Sequence, residues 1–376
     1  MSSRMCNLTV SEWNDEIVNS LIPNIFVLSV YIVAGICGNV VVLMVYAIQM
    51  RAISDERFFI PVLAVFDLIA TLYLGSFSIY SCLNQIVFSS DTLCKTTSFF
   101  FGLATFVPIF ILLIIAVQRY LKVCVPRKGS MSLLLKRVLV LLAIFISLLI
   151  TLPIPFVYEV KPVYNTIYDI IGRKCAKSKT SNSLARNIYG IVVGMFALVV
   201  TITLIVLYSR IAYTIFHNLN MNKDLNSETE NKICETSISL QDGEITKPAT
   251  VPVVHSYYDE HAHANISSAT TSKKSGSKQL RKNNRRLTFK LTTMFLVITL
   301  VFLFSYTPIV VLLITEGVSE NLWDNLSTSQ RSGVMFAHDL YIINNIVNPF
   351  IYAFMDTKFR SETMNFLSRV FRPCKL

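Results

Sequence analysis

Seven long apolar stretches, separated by short polar segments, organise this chain. In the third, residues 98–117 contain no acid and no base. At the rise of an α-helix, the path from Cys94 to Arg119 covers roughly 37 Å, which matches the hydrocarbon core of a bilayer and part of its interface. The other stretches cover about residues 25–48, 58–80, 138–157, 187–216, 287–315 and 334–355. The pattern predicts an all-α membrane protein, a bundle of seven transmembrane helices.

Composition agrees with this prediction. The chain is 53% hydrophobic and only 15% charged, whereas soluble domains carry about a quarter charged residues. The mean hydropathy is +0.54. No apolar core directly follows a basic start, so we expect the first span to act as its own insertion signal, without a cleaved leader. The net charge of +11 is better explained by basic cytoplasmic loops than by nucleic-acid binding.

The distribution of basic residues predicts the orientation. The loops after the third span and before the sixth are strongly basic, which places them inside. Residues 1–23 are then an extracellular N-terminus and residues 24–355 the transmembrane domain. Within that domain, 217–286 is a long inner loop that reads as disordered. Residues 356–376 begin as an amphipathic helix lying along the inner lipid surface. The loop 158–186 is basic yet outside, an exception to the usual bias.

The cysteines and sequons suggest modification rather than metal binding. The eight cysteines show no C-x-x-C pair and no zinc-ligand spacing, so we expect no metal site and no cofactor. Asn7 and Asn325 begin acceptor sequons on the outer side and are candidate glycosylation sites. Cys374, beyond the amphipathic segment, is placed for reversible acylation.

Polar residues within the apolar stretches are costly to bury and indicate functional positions. Asn39 lies in the first span and Asp67 in the second. The last span contains Asn348-Pro349-Phe-Ile-Tyr352. The proline removes a backbone hydrogen bond, and Asn348 and Tyr352 lie on one helical face.

These residues, together with a Gln118-Arg119-Tyr120 triplet at the inner end of the third span, resemble the motifs of rhodopsin-like G-protein-coupled receptors, and more specifically of a divergent neuropeptide-type receptor. The resemblance implies a disulfide between Cys94 and Cys175 and a polar cluster around Asp67. It also implies an activation switch that engages a heterotrimeric G protein when the sixth helix moves outward. Such a receptor is not an enzyme. The switch residues are Gln118, Arg119, Tyr120, Tyr208, Tyr306, Pro308, Asn348, Pro349 and Tyr352, and the polar cluster is Asn39, Asp67, Asn344 and Asn348.

Several positions depart from the family pattern. Gln118 replaces the acid that normally pairs with the arginine, which predicts that the local ion-pair restraint on Arg119 is replaced by at most a neutral hydrogen bond and that basal signalling is raised. Tyr306 replaces a tryptophan, and the fourth and fifth spans lack their usual Trp and Pro. Pro108 stands where the family often has a sodium-coordinating serine, which argues against sodium at Asp67.

The family comparison also limits the ligand. Phe101 stands where amine receptors have an aspartate, and residues 334–355 contain no lysine for retinal. A basic second outer loop and an acidic third one suit a short peptide of mixed charge, so we predict a neuropeptide receptor. The alternatives are a lipid or other small non-amine ligand or, in a different class, a transporter, which would need more intramembrane charges. Aromatic residues within spans pack against neighbours more often than they line a pocket. The pocket candidates are Tyr80, Phe101, Thr105, Tyr306, His338 and Tyr341.

The long inner loop offers a regulatory site. Its hydroxyl residues are candidate substrates for receptor kinases and candidate arrestin-binding sites, with a solvated linker as the alternative interpretation. They are Ser267, Ser268, Thr270, Thr271 and Ser272. A multi-pass receptor of this kind is expected in the plasma membrane.

Overall fold

The elements follow the predicted spans closely in a computed structural model of the chain. It describes residues 8–50, 55–126, 131–165, 169–178, 183–239, 263–318, 322–323 and 326–370. Asn7, Asn325 and Cys374 lie outside the described residues. The helices are α1 (Val10–Ile48), α2 (Phe59–Leu83), α3 (Asp91–Cys124), α4 (Leu133–Thr151), α5 (Ile154–Val157), α6 (Ser183–Ser239), α7 (His263–Val318), α8 (Thr328–Asp339), α9 (Ile343–Met355) and α10 (Thr357–Val370). A strand pair, β1 (Tyr158–Asn165) and β2 (Ile170–Lys177), precedes α6.

Six helical stretches in the described part of the chain are long and apolar enough to cross a membrane. They are Val10–Ile48, Phe59–Leu83, Asp91–Cys124, Leu133–Val157, Asn187–His217 and Arg286–Glu316. The seventh predicted span, 334–355, is helical throughout, because α8 continues through a short 3-10 turn, Leu340–Ile342, into α9. The 3-10 turn begins after Asp339, whose carboxylate accepts a hydrogen bond from the Ser78 hydroxyl of α2 at 3.3 Å.

The first helix begins well before its predicted span. Thr9 and Glu12 form a capping box, in which the Thr9 hydroxyl accepts from the Glu12 amide at 3.2 Å and the Glu12 carboxylate accepts from the Thr9 amide at 2.8 Å. Such a cap satisfies backbone donors that a helix start leaves unpaired. Asn14 then ties this outer extension to α2, donating to the Leu83 carbonyl at 2.9 Å. Most of the predicted N-terminal tail, 1–23, is thus helical.

The helices on both sides extend into the long inner loop, because the backbone of α6 continues to Ser239 and that of α7 begins at His263. The disorder predicted for 217–286 stays a prediction. A helix already nucleated in the membrane extends at one hydrogen bond per added residue, which favours continuation of even polar sequence. The fourth span likewise starts earlier than predicted, so Lys136 lies inside α4 and is buried, with its Nζ 5.8 Å from the centre of the Phe58 ring.

Helix α3 is the centre of the bundle and contacts α2, α4, α5, α6, α7 and β1. The closest approach elsewhere is between α1 and α2. A Cβ built on Gly35 would lie 2.5 Å from a Thr71 methyl group, and one on Gly75 would lie 2.5 Å from Ile32. Small residues at such crossings let two membrane helices pack backbone to backbone.

Candidate functional site

The inner end of α3 holds a completely buried arginine. Arg119 Nη1 lies 2.9 Å from Glu56 Oε2, and Nη2 donates to the Glu56 backbone carbonyl at 2.6 Å. Its guanidinium also lies over the Phe295 ring of α7, 4.7 Å from the ring centre. Glu56 belongs to a 3-10 turn, Asp55–Arg57, between α1 and α2, which we call the first-loop turn. Arg119 therefore has an acidic partner.

This pairing qualifies the prediction made from Gln118. Gln118 is buried, and among the described residues its amide has no hydrogen-bond partner. It does not replace the missing acid; Glu56 does, from 63 positions away in sequence. The prediction concerned only the local restraint on Arg119, and the ion pair with Glu56 supplies a restraint from outside α3. Raised basal signalling stays a prediction, which this ion pair argues against. Glu56 was not among the residues predicted from the sequence.

The Glu56 carboxylate has further partners on two helices. Lys122 of α3 forms an ion pair with Oε1, and the Thr288 hydroxyl of α7 lies 3.5 Å from the same oxygen. Burial alone would raise the pKa of the Glu56 carboxyl, but the hydrogen bond from Lys122 and the positive charge of Arg119 outweigh it and lower this pKa. Glu56 is therefore a carboxylate at neutral pH.

The remaining predicted switch residues lie in several parts of the bundle. Tyr208 of α6 is buried, and it lies close enough to Arg119 to interact with its charge. Tyr352 of α9 is buried and packs on Phe359 of α10, with ring centres 6.1 Å apart. Tyr120 is partly buried against the hydrophobic core. Pro308 and Pro349 lie inside α7 and α9, as the sequence indicated.

The start of α10 is fixed by an ion pair that was not predicted. Asp356 accepts from Arg57 Nε at 2.8 Å and from Arg57 Nη2 at 3.0 Å, and the exposed fractions of the two side chains are only 3% and 4%. Asp356 also accepts from the backbone amides of Lys358 and Phe359, which caps α10. The first-loop turn thus contacts both the Arg119 site and the junction of α9 and α10.

The predicted polar cluster forms in part. Asn348 donates to Asp67 Oδ2 at 2.7 Å, and both residues are buried. Asn39 instead donates to the backbone carbonyl of Asn345, at 2.9 Å, a contact the sequence did not indicate. Asn344 is buried, and neither polar atom of its side chain has a partner within the described part of the chain. The cluster therefore joins α1, α2 and α9.

Four of the six pocket candidates meet in one aromatic cluster, which consists of Phe101, Tyr306, His338 and Tyr341. Tyr341 lies at its centre, with ring centres 5.5 Å from Phe101, 5.9 Å from Tyr306 and 5.9 Å from His338. Tyr306 and Tyr341 are buried and form the inner part of the cluster, whereas the His338 side chain is partly accessible. His338 Nδ1 lies 2.9 Å from the carboxylate of buried Asp339.

The other two pocket candidates lie elsewhere. Tyr80 packs edge-on against Phe88, with ring centres 5.5 Å apart. The Thr105 hydroxyl donates to the Phe101 carbonyl within α3, at 2.9 Å. A cleft of about 260 Å³ opens between α7 and the turn before α9, lined by apolar residues such as Leu300 and Phe304. The side chains of Leu300 and Phe304 are exposed on the surface of the bundle, and no member of the aromatic cluster lines the cleft.

A disulfide-linked hairpin lies at the outer ends of the helices. The predicted Cys94–Cys175 bond is present and joins α3 to β2, where Cys175 pairs with Val160 of β1. Arg173 of β2 also exchanges backbone hydrogen bonds with Ile86 and Phe88 after α2. Lys177 forms a 2.8 Å ion pair with Glu316 at the outer end of α7. The basic second loop and an acid of the third loop therefore meet directly.

Comparison with known proteins agrees with this arrangement. The family model of the 7 transmembrane receptors (rhodopsin family) matches residues 38–352. The chain is 24% identical over 369 residues to a cholecystokinin receptor of Xenopus laevis, covering 93% of this chain and 76% of the relative. It is 23% identical to the human cholecystokinin receptor type A, covering 93% and 80%. It is 22% identical to an octopressin receptor of Octopus vulgaris, covering 96% and 82%.

Proposed function

Because the chain belongs to the rhodopsin family of seven-transmembrane receptors, we propose that it binds an extracellular peptide and activates a heterotrimeric G protein. Nucleotide exchange takes place on the G protein, so the receptor itself is not an enzyme. The observation that carries this proposal is Arg119, a buried charge at the inner end of the central helix, held by an ion pair rather than by packing alone. A buried ion pair with one partner in a loop is an element that can adopt two states.

The orientation follows from the disulfide and the loop charges. A disulfide forms in an oxidising compartment, which supports an outer position for the hairpin and hence for the N-terminus. The receptor then lies in the plasma membrane, with the Arg119 site facing the cytoplasm. Ligand binding at the outer face favours a state in which α7 moves outward and Arg119 is released to the G protein.

A peptide ligand is supported by the outer surface and by the relatives. Cholecystokinin and octopressin are the ligands named for the receptors reported above. In this chain, the hairpin forms one wall above α3 and exposes Arg173. Partly accessible His338 and the aromatic cluster lie below it. Such a surface offers a peptide both backbone and charged contacts.

Regulatory partners form a further part of the proposal. The hydroxyl residues from Ser267 to Ser272 lie near the start of α7, on the side of the membrane that receptor kinases and arrestin occupy. The amphipathic helix α10 has Phe359 buried in the bundle and Met364 and Val370 exposed, which suits contact with membrane lipids.

A lipid or small non-amine ligand is the second candidate. The observation that favours it is the apolar cleft beside Leu300 and Phe304, because both side chains are exposed on the surface of a transmembrane helix. A ligand entering from the membrane would reach this cleft without passing the disulfide-linked loop.

A screen of neuropeptides in cells that express the chain with a promiscuous G protein tests the proposal. Arg119→Ala, matched for surface level, is the control variant. A peptide response that is lost in Arg119→Ala supports both the ligand class and the role of the arginine. Silence to every peptide, combined with a response to a lipid fraction, would favour the second candidate instead.

A further inference from the structure

The first-loop turn joins two parts of the bundle that are far apart in sequence. Glu56 binds Arg119 and Lys122 of α3 and approaches Thr288 of α7. The next residue, Arg57, binds Asp356 at the junction of α9 and α10. Two consecutive side chains of opposite charge therefore connect the inner ends of α3 and α7 to the base of α9.

Two oxygen atoms of Glu56 bind the guanidinium of Arg119, and we call this interaction the clasp. Glu56 contributes one carboxylate oxygen and its own backbone carbonyl to the two terminal nitrogens of the guanidinium. Since Arg119 is completely buried, loss of the carboxylate would leave a positive charge in a poorly solvated site. Removing one member of a buried pair favours any rearrangement that returns the remaining charge to water or to a new partner.

We propose that Glu56 of the first-loop turn is the acid that holds Arg119 in the resting receptor, in place of an acid next to Arg119 in sequence. The proposal rests on the function proposed above and adds the residue that keeps the inner face closed. Arg57 and Asp356 position Glu56, because their buried pair fixes the turn against the start of α10. Activation then requires Arg119 to leave a loop residue rather than a neighbour on its own helix.

The main test compares basal signalling of wild type and Glu56→Gln at equal surface level, without ligand. Glutamine keeps the shape and one oxygen acceptor but removes the charge that pairs with Arg119. We expect basal G-protein signalling to rise about fivefold or more, at the low end of typical coupling between states. Glu362→Gln, the same chemical change on α10, is the matched control and is expected to leave the basal signal unchanged.

A second variant provides a rescue. Gln118→Glu places an acid beside Arg119, and we expect the double variant Glu56→Gln with Gln118→Glu to return most of the way to the wild-type basal signal. A merely structural role for Glu56 would not be repaired by an acid on α3. An unchanged basal signal in Glu56→Gln, or a raised signal with no rescue, would overturn the proposal.

A measurement without a G protein separates this proposal from the proposed function. Spin labels at Arg137→Cys on α4 and Lys290→Cys on α7, both exposed positions, report the distance between the inner ends in purified receptor with its other free cysteines replaced. We expect Glu56→Gln to add a population at longer distance. If the distances change but no variant activates a G protein, the clasp stands and the proposed function fails. If variants signal but the distances and basal signal do not depend on Glu56, the clasp fails alone.

Discussion

The buried pair between Arg57 and Asp356 permits a quantitative prediction, because Asp356 performs two tasks that substitutions can separate. It carries the negative charge that pairs with Arg57, and it caps the first turn of α10. Asparagine is as good a helix cap as aspartate but has no charge. Asp356→Asn therefore removes the ion pair alone, whereas Asp356→Ala removes the pair and the cap together.

The expected magnitudes follow from burial. Removing one partner of a buried ion pair costs about 3–5 kcal/mol, and because the first-loop turn lies at the edge of the bundle we take the lower value, ~3 kcal/mol, for Asp356→Asn. Loss of the cap adds ~1 kcal/mol, so we expect ~4 kcal/mol for Asp356→Ala. Glu362→Gln on the same helix is the control and is expected to change stability by less than about 0.5 kcal/mol.

Thermal unfolding of the purified receptor measures these differences in stability. A double-mutant cycle of Asp356→Asn with Arg57→Gln isolates the interaction energy between the two charges. Since each single variant leaves one buried charge without its partner, the double variant should be no less stable than either single one. If the two single losses simply add, the two charges do not stabilise each other, and the energies expected here are wrong. Equal losses for Asp356→Asn and Asp356→Ala would show that the cap contributes nothing.

Three further predictions concern the other contacts. Asp67→Ala removes the acceptor for Asn348 and leaves a buried amide unpaired, so we expect about 1–3 kcal/mol of lost stability in thermal unfolding, and a smaller loss for Asp67→Asn, which keeps an acceptor. Cys94→Ser, Cys175→Ser and the double variant should lower the surface level equally, because each removes the same bond; a worse double variant would indicate a second role. Because the pKa of Glu56 is lowered in the folded protein, its carboxylate stabilises the fold at neutral pH. This contribution is lost as the pH falls below 4.5, the ordinary pKa of a glutamate, and through the lowered pKa. The stability difference between wild type and Glu56→Gln should therefore shrink progressively as the pH falls below 4.5, and a difference that stays constant throughout this acid range would show that the charge is not its cause.

The features that could be predicted from sequence are those set by local composition. Spans require only enough consecutive apolar residues, so all seven were placed, with end errors that reflect polar helical extensions. The Asp67–Asn348 bond and the Cys94–Cys175 disulfide came from the family resemblance, and both are present. The start of α1 was predictable as well, because Thr9 and Glu12 have the spacing of a capping box.

The pairing of Glu56 with Arg119 could not be predicted in the same way. Glu56 lies in a short charged segment that looks like any solvated loop, and nothing local specifies a partner 63 positions away. One indication was available in the sequence. Arg119 was expected to be buried, and its neighbours Gln118 and Tyr120 carry no charge, so an acidic partner had to come from elsewhere in the chain. The turn before α9 was equally hidden, since Leu340–Ile342 is apolar and contains neither Gly nor Pro.

Ligand-stimulated nucleotide exchange on a purified G protein, with the receptor in lipid nanodiscs, measures activation without the rest of the cell. We predict that a peptide active in cells accelerates exchange with wild type and that Arg119→Ala binds the same peptide without accelerating it. Equal acceleration by Arg119→Ala, at equal peptide occupancy, would contradict the role given to this arginine and to the site built around it.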